Sequence, residues 1–173
     1  MGGGRQRGIG QSRASEPRRT RGPASLIRVL VDANVLIRAL LPSNNPTRAV
    51  SLILAAALAR VFVLLLPREL FAELSDTLET RPYLVQRIPS AERRAFLAGL
   101  IDVGAALPPL LGPYATTTRD PDDDYLLAYA RRDRADFLVT GDRDLLAPEF
   151  AEPRILDPGA FVRELRDRGL VDA

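Results

Sequence analysis

Leu26-Ile27-Arg28-Val29-Leu30-Val31-Asp32-Ala33-Asn34 opens with a short apolar, partly β-branched run and closes on an aspartate. Such a run reads as a strand buried on both faces. A second run, Phe137-Leu138-Val139-Thr140, is followed by Gly141-Asp142-Arg143-Asp144. Val61 to Leu66 is a third, continuously apolar. Segments with helical signals separate the three. Strands alternating with helices predict an α/β chain built as a three-layer sandwich. Its central sheet should be mainly parallel, with about four to five strands.

Working outward, Val35 to Leu41 fits one or two helical turns. Asn45-Pro46 supplies an N-cap and a first-turn proline for a helix to about Arg60. Pro67 opens the next helix, on which Leu70, Phe71, Leu74 and Leu78 form the apolar stripe, and Pro82 ends or kinks it. Ser90 is read as the N-cap of a helix reaching Val103. Ala105 to Leu110 is a short strand weakened by Pro108-Pro109. A helix runs from Asp123 or Asp124 to about Arg132. Arg154 to Leu156 is a last strand, and Asp157-Pro158 starts a C-terminal helix ending near Arg168.

The chain has 173 residues, 46% of them hydrophobic, enough for one globular domain with its own core. It contains neither histidine nor cysteine. That removes disulfides and thiolate metal sites, makes zinc a poor fit, and leaves hydrolytic chemistry to carboxylates. All 24 basic residues are arginine, which excludes a P-loop or Schiff-base lysine. The longest apolar stretch, Ser51 to Leu66, is interrupted by Arg60, so no membrane span is expected; the absence of cysteine is compatible with the cytosol, and a cytoplasmic location is expected. Met1 to Ala24 carries six arginines and one glutamate, a charge of +5, and the remaining 18 arginines and 21 acids give −3. This first segment is too poor in apolar residues to fold and is expected to be a disordered tail, either inert or an arm that attracts RNA. The domain then covers Ser25 to Ala173. No apolar stretch follows the arginines as a secretory signal would require.

In an open α/β sheet, ligands gather beyond the carboxyl ends of the strands. Asp32 directly follows the first strand, and Asp142 lies two residues past Thr140. Asp124 starts a helix, and Glu73 lies about two turns into another. Each acid alone has an ordinary reading: Asp32 or Asp124 as an N-cap, Glu73 as a solvated helix residue, Asp142 and Asp144 as turn residues. Gathered together, they would repel by roughly 4 kcal/mol per pair at about 4 Å and an effective dielectric near 20. One or two Mg²⁺ or Mn²⁺ ions would relieve that strain and activate water against a phosphodiester. Arg38, Arg48, Arg68, Arg119 and Arg143 are the arginines nearest these acids in sequence, and some of them are expected to contact phosphates.

Four segments taken in order resemble the PIN domain, the fold of many small ribonucleases, VapC-type toxins of toxin–antitoxin pairs among them. They are Val29-Leu30-Val31-Asp32-Ala33-Asn34-Val35-Leu36, Pro67-Arg68-Glu69-Leu70-Phe71-Ala72-Glu73-Leu74, Arg119-Asp120-Pro121-Asp122-Asp123-Asp124-Tyr125-Leu126-Leu127-Ala128 and Leu138-Val139-Thr140-Gly141-Asp142-Arg143-Asp144-Leu145-Leu146. The resemblance spans roughly Leu26 to Leu165. It implies a Mg²⁺- or Mn²⁺-dependent endoribonuclease whose metal-site acids fall on Asp32, Glu73, Asp124 and Asp142. Glu73 is preferred to Glu69 because it precedes Leu74. The third acid could also be Asp120 or Asp123; spacing to Thr140 favours Asp124. Asn34, Thr140 and Asp144 look like supporting residues. An antitoxin partner and a homodimer are further implications of the resemblance alone. The arginine-rich tail departs from the compact toxins. A non-catalytic RNA- or protein-binding module on the same fold is the competing reading. A haloacid-dehalogenase-type phosphatase would need a second aspartate where Asn34 stands, and a lysine.

Overall fold

The computed structural model describes residues 26–42, 48–114, 124–146 and 152–172. The expected tail, the Asn45-Pro46 helix start, Arg119, and the acids Asp120 and Asp123 lie outside them.

Five short strands make one all-parallel sheet: β1 (Arg28–Val31), β2 (Val63–Pro67), β3 (Ala105–Leu107), β4 (Phe137–Val139) and β5 (Arg154–Leu156). Their order is β3-β2-β1-β4-β5. Val29 pairs with Leu64 on one side and Phe137 on the other, so β1 lies at the centre. Successive side chains point to opposite faces of a strand. Val29, Leu30 and Val31 are all fully buried, as are Leu64, Leu65, Leu138 and Val139. Both faces of the sheet are therefore covered, which gives the three layers expected from the apolar runs.

Eight helices are described: α1 (Ala33–Leu40), α2 (Ala49–Leu58), α3 (Arg68–Thr80), α4 (Pro82–Arg87), α5 (Ser90–Val103), α6 (Asp124–Arg132), α7 (Arg143–Leu146) and α8 (Pro158–Asp167). Phe161 of α8 anchors one layer. It meets Phe62 edge-on, with ring centroids 5.6 Å apart, and Phe137 at the same separation. Helices α2 and α6 both stop in a Schellman turn whose left-handed residue is an arginine, Arg60 (φ 56°) or Arg134 (φ 51°). Glycine would adopt this conformation with less strain.

Several local expectations are corrected. Helix α2 starts at Ala49, and Arg48 before it has extended backbone (ψ 135°). Ser90 is not an N-cap. Pro89 holds that position, and Ser90 already lies in the first turn of α5. Pro82 both follows the end of α3 and opens α4, where its missing N–H costs nothing. Strand β3 stops at Leu107, before Pro108-Pro109. Asp157 does cap α8, accepting the amide of Ala160 at 2.9 Å.

The strand order fixes where a site can form. From β1 the chain moves outward through β2 to β3, then returns to the other side of β1 for β4 and β5. The direction of winding reverses between β1 and β4. The crevice at their carboxyl ends is the topological switch point, the usual ligand site of such sheets.

Candidate active site

Asp32 closes β1 and caps α1. Its Oδ1 accepts the amide of Asn34 at 2.9 Å, and only 6% of the residue is exposed. Asp142 lies three residues past the end of β4, directly before α7. Its Oδ1 accepts the amide of Asp144 at 2.7 Å, and its carbonyl accepts the amide of Leu146, the last residue of α7. The same local chemistry thus fixes two carboxylates at adjacent strand ends: a strand, an aspartate, and a helix that the aspartate caps. A helix N-terminus also favours negative charge beside it. The capping role and a ligand-binding role therefore coexist at Asp32.

Thr140 joins the pair. It is fully buried and donates its hydroxyl to Oδ2 of Asp32 at 2.7 Å. The Thr140 hydroxyl oxygen in turn accepts the amide of Asp142 at 3.0 Å. Gly141 does not have a positive φ. Its missing side chain matters for another reason: a Cβ there would lie 3.5 Å from Nη1 of Arg38. An exposed guanidinium from α1 therefore sits against the turn between Thr140 and Asp142.

Asp124 reaches this edge from the other direction. The carboxyl end of α6 sits at the start of β1, where Arg28 donates Nε to the carbonyl of Asp133 and its amide to Asp136. Helix α6 packs on β1 and β4. Its nine residues rise about 13 Å, close to the length of the four-residue β1. Asp124, at the far end, is thereby brought to the level of the strands' carboxyl ends. It is 2% exposed, and its Oδ2 is a buried atom with no hydrogen bond. The residue makes other interactions.

Glu73 comes in from α3, which starts directly after β2. Its Oε2 accepts the hydroxyl of Tyr125, the neighbour of Asp124, at 2.8 Å. One turn earlier, Oε2 of Glu69 accepts the hydroxyl of Tyr129, whose oxygen also accepts the amide of Leu110 at 3.2 Å. Burial, followed by the bond to Glu69 and that residue's charge, pushes the Tyr129 phenol up to about 12. Glu69 is thus committed to a buried tyrosine, while Glu73 lies beside the first turn of α6. Sequence reasoning missed both tyrosines. The signal was present as two spacings of four residues, Glu69–Glu73 and Tyr125–Tyr129, which align two helix faces.

Of the other residues singled out in sequence, Asn34 contributes its amide to Asp32 and is exposed, as is Asp144. Arg68 and Arg143 are exposed in the first turns of α3 and α7, and Arg48 precedes α2.

Carboxylates in a chain without histidine or cysteine suit a hard cation. Among the described residues, no three acids close around one point. Mg²⁺ commonly takes one or two carboxylates and completes its octahedron with water and substrate phosphate. The carboxylates of Asp32 and Asp142 are the kind of donor that Mg²⁺ or Mn²⁺ takes.

A family model described as a PIN domain matches residues 28–144. No curated protein matches the chain. No helix of the described residues is long and apolar enough to cross a membrane.

Proposed function

We propose that this chain, which belongs to the PIN-domain family, is a Mg²⁺- or Mn²⁺-dependent endoribonuclease working at the β1–β4 crevice. PIN domains are generally nucleases. The observation that carries the finer reading is the Asp32–Thr140–Asp142 connection across the topological switch point.

Asp32 and Asp142 would hold the cation, with Asp124 and Glu73 completing the acidic rim. A bound divalent ion supplies Lewis acidity that makes water nucleophilic near neutral pH and offsets charge building on the phosphate. The residues of the chain do the rest. Thr140 fixes the Asp32 carboxylate by bonding Oδ2, while the Asn34 amide fixes Oδ1. Restricting both oxygens lowers the entropy lost when a ligand binds. Arg38, against Gly141, places positive charge where a phosphate must approach an acidic rim. Hydrolysis by water needs no covalent intermediate.

The proposal extends to RNA as substrate, to the toxin of a toxin–antitoxin pair working in the cytoplasm, and to an antitoxin segment or a second copy of the chain as partner. These rest on the family resemblance. One observation favours a different reading, a non-catalytic RNA-binding module: the described acids do not form a group of three. Incubation with a panel of structured RNAs separates the two. Cleavage that EDTA stops and Mn²⁺ restores supports the nuclease. RNA binding unchanged by EDTA, without cleavage, supports the module.

A further inference from the structure

We infer that Tyr125 is a positioning residue that holds the Glu73 carboxylate at the acidic rim. The inference rests on the metal-site reading above and adds a residue to it.

Glu73 is exposed on the second turn of α3. A glutamate in that setting has three rotatable bonds and gains little by settling in one rotamer. Here its Oε2 accepts the Tyr125 hydroxyl at 2.8 Å. Tyr125 is half-buried, and its ring meets that of Tyr129 edge-on, with centroids 6.4 Å apart and planes at 87°. Tyr129 is fully buried and bonded at its hydroxyl to Glu69 and Leu110. The donor therefore stands on a rigid base. A phenol gives one proton, so Oε1 and the second lone pair of Oε2 remain available to a cation. Because Tyr125 follows Asp124 in the chain, the bond ties the acid of α3 to the helical turn that carries the acid of α6.

A plain staple between α3 and α6 would use the same bond. The two roles separate by a double-mutant cycle, because a residue acting through Glu73 loses its effect once Glu73 is gone. Mn²⁺ affinity of the full chain would be read by paramagnetic resonance of the free ion. Wild type would be compared with Tyr125→Phe, Glu73→Ala and the double variant, each checked by circular dichroism. Tyr125→Phe keeps the ring and its packing. Partners that orient metal ligands commonly contribute about 10- to 100-fold in affinity. The expected result is Mn²⁺ binding weakened about 10-fold by Tyr125→Phe in the wild-type background and unchanged by it in the Glu73→Ala background. Unchanged affinity in Tyr125→Phe, with wild type binding Mn²⁺, would overturn the inference while leaving the metal site standing. Equal weakening with and without Glu73 would also overturn it. A wild-type protein that does not bind Mn²⁺ would remove the metal-site reading, and this inference with it.

Discussion

The hydroxyl of Thr140 donates to Oδ2 of Asp32 at 2.7 Å across the junction of β1 and β4. These residues are 108 apart in sequence, and the bond closes the crevice where the winding of the sheet reverses. Removing the hydroxyl leaves two groups unsatisfied, the buried Asp32 oxygen and the amide of Asp142.

Thr140→Val keeps the shape of the side chain and loses only the bonding. Urea unfolding should show a loss of about 1–3 kcal/mol, the usual cost of a buried polar group left without its partner. With Asp32 holding the proposed cation, RNA cleavage should fall by about 10- to 100-fold, the usual loss for partners of metal ligands. Thr140→Ser should retain most of both. Wild-type stability in Thr140→Val would show that the bond does not constrain Asp32.

Arg38 sits against Gly141. Arg38→Gln should weaken RNA binding and reduce the slope of log affinity against log salt by about one phosphate contact. Gly141→Ala should be tolerated, because the added carbon meets Arg38 at ordinary contact distance. An unchanged salt slope in Arg38→Gln would remove this arginine from the phosphate path.

Tyr129 provides a spectroscopic marker. Its phenol is raised from 10.0 to about 12 by burial and by Glu69. A raised folded value favours the protonated form, so the stability it contributes is complete below about pH 10 and is lost as pH rises through 12. An ultraviolet titration should show a late-titrating tyrosine signal that is absent from Tyr129→Phe. Four tyrosines all titrating near 10 would contradict the burial and bonding described for it.

Glu164 has the opposite sign. Burial pushes it up, but bonds from Arg168 and Arg154 outweigh burial and hold it below 4.5. Its contribution should be present above that value and lost as pH falls through the lower folded value. The stability gap between wild type and Glu164→Gln should therefore narrow in acid. A gap independent of pH would show that the two arginines do not act through its charge.

Gly104 tests the packing under β2. An alanine Cβ there would lie 2.6 Å from the Leu100 carbonyl and 2.9 Å from a Leu66 methyl. Gly104→Ala should cost about 1–3 kcal/mol in urea unfolding, the range for overpacking a tight site. A neutral result would mean that α5 shifts freely against the sheet.

The strands were legible because burial on both faces writes itself as an unbroken apolar run, as in Val29–Val31 and Phe137–Val139. Asp157-Pro158 was legible because cap and first-turn proline are adjacent in sequence. Helix starts that depend on backbone context were not. Ser90 is a good capping residue, but Pro89, with extended backbone, takes the position first. The four-residue α7 was too short for any periodicity and looked like a turn. At the site, strand ends announced Asp32 and Asp142. Glu73 could be placed only through Tyr125, because the slant of α3 is a property of packing.

The most direct measurement is Mn²⁺-dependent cleavage of a structured-RNA panel by wild type and Asp32→Asn. Asparagine can still accept the Asn34 amide and pair with the Thr140 hydroxyl, so the fold should survive while the charge that would hold the cation is lost. Cleavage by wild type alone, with both proteins folded, is the expected result. Equal cleavage by the two would contradict a metal site at the end of β1.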